Sequence, residues 1–239
     1  LKIMGFEFTG QSYLFWEYMR ILTEVRKYNP DVKFLLENVV MSKKWEAVLT
    51  KAIGVDPVKI NSNLLSAQNR KRLYWTNIAQ IAQPEDEGIF IRDILEDNVD
   101  DKYYLSDKAP EGMINHARVN EGKENLLAVL KDISPRVADV SISENGIRPH
   151  RGDARKSGIG ELGTIRFESS KADTLLTSSK PIILDGEYKL RRLTPVECAR
   201  LQTVPDWYEW VVSDTQIYRM CGNGWTVRVI EHILKNLFV

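Results

Sequence analysis

The sequence predicts a doubly wound α/β fold with a smaller, irregular domain set into it. Three observations point there. Helical and strand periodicities alternate through the first 80 residues. Residues 32–36, apolar except for Lys33, form a short run, as expected of a strand in a parallel sheet covered on both faces. From 80 to 187 the periodicity weakens while Gly, Ser, Arg and Lys become frequent, and helical signals return only at Thr194.

Taken in order, Leu14, Phe15, Tyr18, Ile21, Leu22 and Val25 recur at three and four. They predict an amphipathic helix over 11–28, ended by Asn29-Pro30. The strand 32–36 follows. Trp45, Val48, Leu49, Ala52 and Ile53 make a second helical stripe, with Gly54 as its C-terminal stop. Residues 58–61 and 73–78 read as further strands. At Thr194-Pro195-Val196-Glu197 a threonine N-cap precedes proline at the first helical position, with glutamate three after the cap. Leu193, Val196, Ala199, Leu201 and Val204 supply its apolar positions, and a last helix uses Val227, Ile230, Ile233, Leu234 and Leu237. The expected division is 1–80 for the α/β core, 81–187 for the irregular domain and 188–239 for a segment returning to the core.

Composition narrows the class. The chain of 239 residues balances 33 basic against 33 acidic side chains, so net charge implies no nucleic-acid partner. Local charge does. Residues 85–108 carry nine acids against three bases, and 147–171 carry six bases against three acids, a segment able to meet phosphates. Two cysteines make no disulfide framework and suggest a reducing, cytoplasmic setting. Three scattered histidines offer no metal spacing, and no apolar run approaches membrane-spanning length.

Several residues are candidates for chemistry. In "FLLENVV", Glu37 and Asn38 end an apolar run, and open parallel sheets bind ligands beyond the carboxyl ends of their strands. A glutamate in a partly dry cleft can keep its proton and act as acid or donor; a solvated helix cap is the competing reading. In "SAQNRKRLYW", an extended backbone would put Gln68, Arg70 and Arg72 on one side, able to grip a polar ring or a phosphate. An exposed edge strand is the alternative. Arg191 or Arg192 would reach a phosphate or enter a buried ion pair. Cys198 reads as core, and Cys221 has no nearby histidine to make it a nucleophile. "GIGELG" at 158–163 matches a dinucleotide-loop pattern but lacks the preceding strand and following helix, so it is rejected as a cofactor loop. Its glycines beside Arg151, Arg155 and Lys156 suit a loop that approaches nucleic acid closely, or an ordinary surface loop.

The order of motifs is more specific than any one of them. "GFEFTGQSYLFWEYMRIL", "ENV", "QNRKR", a variable glycine-rich region, "LRRLTPVECARLQTVPDWY" and "YRMCGNGWTVRVIEHI" together resemble the DNA cytosine-5 methyltransferases. The match runs over most of the chain and is weakest from about 80 to 170. The resemblance implies a Rossmann-like S-adenosylmethionine-dependent core and a small, mostly β target recognition domain. It implies double-stranded DNA as partner, with a cytosine flipped into a pocket. Glu37 would hydrogen-bond or protonate ring nitrogen 3, and Asn38 would help hold the site. Arg72 would contact the base and the catalytic loop region, while Gln68 and Arg70 would support the pocket and nearby backbone. Thr174 would meet the DNA backbone. Asn223, with Gly222 and Trp225 beside it, would lie near the cofactor.

Two departures accompany the match. The family usually follows its Gly-Asn with serine and a small apolar residue, whereas Gly224 and Trp225 stand here. The family's Pro-Cys dipeptide, its glycine-rich cofactor turn and its acidic ribose contact are expected before Leu1. The expectation is therefore an enzyme whose nucleophile and cofactor half lie elsewhere, on the same polypeptide or on a partner chain, with these residues alone inactive. The alternative is a DNA-binding fragment or subunit without chemistry. A small-molecule α/β transferase is a third reading, opposed by the long insert and the block order. Arg148, Arg151, Arg155, Lys156 and Arg166 are the expected contacts behind salt-dependent DNA affinity.

Overall fold

Helix α1, Ser12–Tyr28, closes with Arg26 and Lys27 in its last turn, where cations meet the negative end of the helix dipole. It belongs to a computed structural model that describes residues 12–104, 171–177, 181–184 and 190–237. The model also describes the backbone of short strands at 2–3, 6–7, 116–117, 139–143, 146–149 and 165–167. The described residues fall into two compact units: 1–60, 71–82 and 233–239 in the first, 61–70 and 83–232 in the second.

In the first unit, α1 packs Phe15, Tyr18, Met19 and Leu22 against Phe34, Leu49, Ile53, Leu73 and Trp75. The predicted stripe is therefore only half inward, because Leu14, Ile21 and Val25 are exposed. The helix carries two apolar rows a fraction of a turn apart, and spacing alone does not choose between them. Strand β3 runs Leu35–Val39, three residues later than predicted. Val32 and Phe34 are held instead by the Asn77 amide, which donates to Val32 O at 2.9 Å and accepts from Phe34 N at 3.1 Å. Helix α2, Lys43–Ile53, ends at Gly54 with φ of 86°, a left-handed position that glycine takes without steric cost.

Strand β4, Val58–Asn61, matches its predicted bounds, and β5, Lys71–Thr76, begins two residues early. The three form a sheet in the order β3-β5-β4, and β3 pairs with β5 antiparallel. This corrects the expected parallel sheet at these strands. The register runs from Leu35 opposite Thr76 to Val39 opposite Arg72, so the two strands point opposite ways along the whole of β3. Strands β1, Lys2–Ile3, and β2, Phe6–Glu7, make a separate antiparallel pair.

The second unit holds a six-stranded sheet of β6 (His116–Ala117), β7 (Asp139–Ser143), β8 (Gly146–Pro149), β9 (Ile165–Phe167), β10 (Ile182–Leu184) and β11 (Leu190–Arg192). Their spatial order is the reverse of their chain order, with antiparallel pairs except β6–β7 and β9–β10. Helix α3, Pro195–Leu201, has the predicted capping box: Thr194 Oγ1 accepts from Glu197 N, and the Glu197 carboxylate accepts from Thr194 N at 2.8 Å. Glu197 also takes two hydrogen bonds of 2.8 Å from Arg191, and both residues are buried. The ion-pair reading of Arg191 is the one observed. Helix α4, Asp214–Asn223, goes beyond the elements the periodicity predicts, and α5 spans Val227–Lys235. Ile217, Tyr218 and Cys221 bury one side of α4 against Leu193, Cys198 and Leu201.

Candidate active site

In the first unit the antiparallel register builds the candidate group. Glu37 lies opposite Tyr74, and Val39 opposite Arg72. Residues directly opposite share a face, so Glu37 and Arg72 are diagonal cross-strand neighbours, within reach of long side chains. Arg72 Nε lies 2.7 Å from Glu37 Oε1 in an ion pair, with only 12% and 16% of the two side chains exposed. Arg72 also donates to Lys71 O at 3.0 Å. The predicted carboxylate at the strand end is thus a half-buried ion pair fixed from two strands. Asn38 accepts from Val39 N at 2.8 Å, which shapes the exit from β3.

The second unit holds a group of its own. Gln68 and Arg70 are buried and Asn69 is half-buried, but Ser66 and Ala67 are buried too and β5 begins only at Lys71, so the sequence's alternation is not a single extended run here. The edge-strand alternative does not describe Gln68 or Arg70. The backbone at Gln68 pairs with Ala172: Asn69 N donates to Ala172 O at 2.8 Å and Ala172 N donates to Ala67 O at 2.6 Å. The Gln68 side chain is 0% exposed, and its amide nitrogen and oxygen have no hydrogen-bond partner among the described residues. Arg70 donates to three carbonyls: Leu175 at 3.3 Å, Gly222 at 3.2 Å and Gly224 at 2.9 Å.

Thr174 donates its hydroxyl proton to Asn69 O at 2.6 Å. Lys171, in sequence one of the bases of 147–171, is a structural anchor. Its ammonium donates to Asn63 O at 2.7 Å and Ser66 O at 3.2 Å, and sits 5.0 Å from the Phe90 ring centre. Burial lowers its pKa, with Asp86 and Asp93 opposing. The sequence signal for this role is slight, its place just before "ADTLLTS".

Asn223 ends α4 with its side chain exposed, and Trp225 is 47% exposed beyond Gly224. Gly222 has a packing reason for being glycine. A Cβ there would lie 2.7 Å from Leu176 C and Thr177 N. Cys198 is buried in the core; Cys221 is buried too, and desolvation pushes its thiol up to about 11. Cys221 therefore offers no thiolate at neutral pH. Arg148 and Arg166 lie on β8 and β9, in register with Ser141 and Gly146 respectively. Arg151, Arg155, Lys156 and the 158–163 motif lie outside the described residues. Among the described residues no group of His, Cys, Asp and Glu can hold a metal ion, and no helix is long and apolar enough to cross a membrane.

Comparison with known proteins identifies the family. The family of C-5 cytosine-specific DNA methylases matches residues 60–239. The type II methyltransferase M.HpaII of Haemophilus parainfluenzae is 29% identical over 98% of the chain and 66% of its own length. M1.ScrFI of Lactococcus lactis subsp. cremoris is 28% identical over 99% and 58%. The chain thus spans about half to two thirds of the length of these curated relatives. The crystal structure of the S. pombe Dnmt2 methyltransferase superposes with a TM-score of 0.57 at 17% identity, over 99% of this chain and 74% of that one. A putative DNA modification methyltransferase from an E. coli prophage gives 0.57 at 20%, over 94% and 73%. These structures share the methyltransferase fold, and by its sequence the chain belongs to the C-5 cytosine-specific DNA methylase family.

Proposed function

We propose that the whole protein is a DNA (cytosine-5) methyltransferase acting on a flipped-out cytosine in a specific duplex sequence. The single observation that supports this most is the Glu37–Arg72 pair at the end of β3. A thiolate adds to ring carbon 6, which makes carbon 5 nucleophilic, and negative charge builds toward ring nitrogen 3. Glu37 meets nitrogen 3 as hydrogen-bond partner or proton donor. Arg72 orients that carboxyl group and contacts the base, so the site is set before the ring arrives. Asn38 keeps the β3 exit in shape. Because both cysteines are buried, the thiolate comes from residues other than these 239, and this segment alone is inactive.

S-adenosylmethionine supplies the methyl group when bound. The residues present fit it in part. The exposed Asn223 amide and Trp225 ring can offer hydrogen bonds and an aromatic face, whereas Gly222 is committed to backbone packing. On the DNA side, the single Thr174 proton is already given to Asn69 O, so its phosphate contact uses the backbone N–H or a turned hydroxyl. Arg148, Arg151, Arg155, Lys156 and Arg166 add charge along the duplex. Residues 81–187 act as the target recognition domain, 1–80 and 188–239 as parts of the catalytic core, and the protein works in the cytoplasm.

The test is product identity. The full-length polypeptide is incubated with duplex DNA and S-adenosylmethionine carrying a labelled methyl group, and the DNA is digested to nucleosides. Label is expected in 5-methyl-2′-deoxycytidine. Label on an exocyclic amine, or none, rejects the proposal.

A further inference from the structure

The segment 171–177 is fastened along its whole length. Lys171 is bonded to Asn63 O and Ser66 O, Ala172 to the backbone at 67 and 69, and Thr174 to Asn69 O. Leu175 O is held by Arg70, and Leu176 and Thr177 lie against Gly222 so closely that no Cβ fits between them. Arg70 uses the same guanidinium to hold Gly222 O and Gly224 O, one on each side of Asn223. One buried side chain, 5% exposed, therefore joins two segments that carry different proposed ligands. A planar guanidinium with five donors can span three carbonyls at fixed angles, and a lysine ammonium cannot reproduce that fork.

We propose that Arg70 is a positioning residue that couples DNA binding at Thr174 to cofactor binding at Asn223. The clamp fixes the register between segment 171–177 and the 222–224 turn. Displacing either segment displaces the other, so each ligand finds its site ordered by the first to bind. Coupling of this kind is reciprocal. The inference rests on the methyltransferase reading above.

The test uses the full-length protein with S-adenosylmethionine and a duplex containing its methylated site, and measures cofactor affinity with and without DNA. In the natural protein DNA should tighten cofactor binding by about tenfold, within the usual range of such couplings. Arg70→Lys should abolish most of that gain and raise the cofactor KM, while kcat at saturation changes less. A second variant, Gly222→Ala, leaves Arg70 intact but forces the 176–177 backbone away, and it should lose the coupling as well. It also decides the question if Arg70→Lys does not fold. Folded variants whose cofactor affinity responds to DNA as in the natural protein overturn the inference. So does a folded variant with lowered stability but unchanged cofactor KM and unchanged coupling. Failure of the function itself looks different: the natural protein would transfer no methyl group and bind no cofactor, which overturns both.

Discussion

Arg191 and Glu197 form a fully buried pair in which the carboxylate also caps α3 and accepts from Glu96 N at 3.0 Å. Removing one partner strands the other's charge. Arg191→Ala should lower unfolding stability by about 3–5 kcal/mol in urea titrations. Nothing in "RRLTPVEC" distinguishes this from a phosphate contact, because the choice depends on a side chain folding back onto its own helix cap. Cys221 carries a second residue-scale consequence. Its thiol is raised from 9.0 to about 11 by desolvation, so it stabilises the fold fully below its unfolded value and loses that contribution as pH climbs through the folded one. A thiol-specific disulfide reagent at about pH 8 should label Cys221 only after unfolding. Fast labelling of the folded protein would contradict the burial described.

Elements are legible to the degree that local chemistry specifies them. The α3 cap and the Gly54 stop are readable because each is a fixed residue type at a fixed offset. Gly54→Ala should cost about 1 kcal/mol in thermal melts, since φ is left-handed and nothing within 4 Å would clash. Strand ends are less legible. The limits of β3 follow its ladder with β5 and the Asn77 side chain, both more than 30 residues away in sequence. Helix α4 is hard to see because its inward face uses only Ile217, Tyr218 and Cys221, although Ser213 and Gln216 supply a capping box visible in the sequence.

At the scale of the molecule, the family is legible in the order of motifs, whereas the geometry of the candidate site is not. The resemblance carried by "ENV" and "QNRKR" implies a shared role for Glu37 and Arg72, but their direct pairing needs the antiparallel register. Thr174, Arg70 and Gly222 stand out in the sequence for separate reasons and form one assembly in the fold. The basic residues of 147–171 make a prediction at this scale too. Reversing Arg151 and Arg155 to glutamate should lower the slope of log affinity against log salt by about 2, roughly one unit for each phosphate no longer neutralised, in anisotropy titrations on duplex DNA. An unchanged slope would remove them from the interface.

The most direct measurement is the methyl-transfer rate of the full-length protein carrying Glu37→Ala, at saturating cofactor and DNA. If Glu37 manages charge at the cytosine ring, kcat of the folded variant should fall by about 100-fold or more while duplex affinity stays close to the natural protein, with some loss of melting temperature because Arg72 is left without its carboxylate. Transfer at the natural rate by the folded variant would contradict the account of this site.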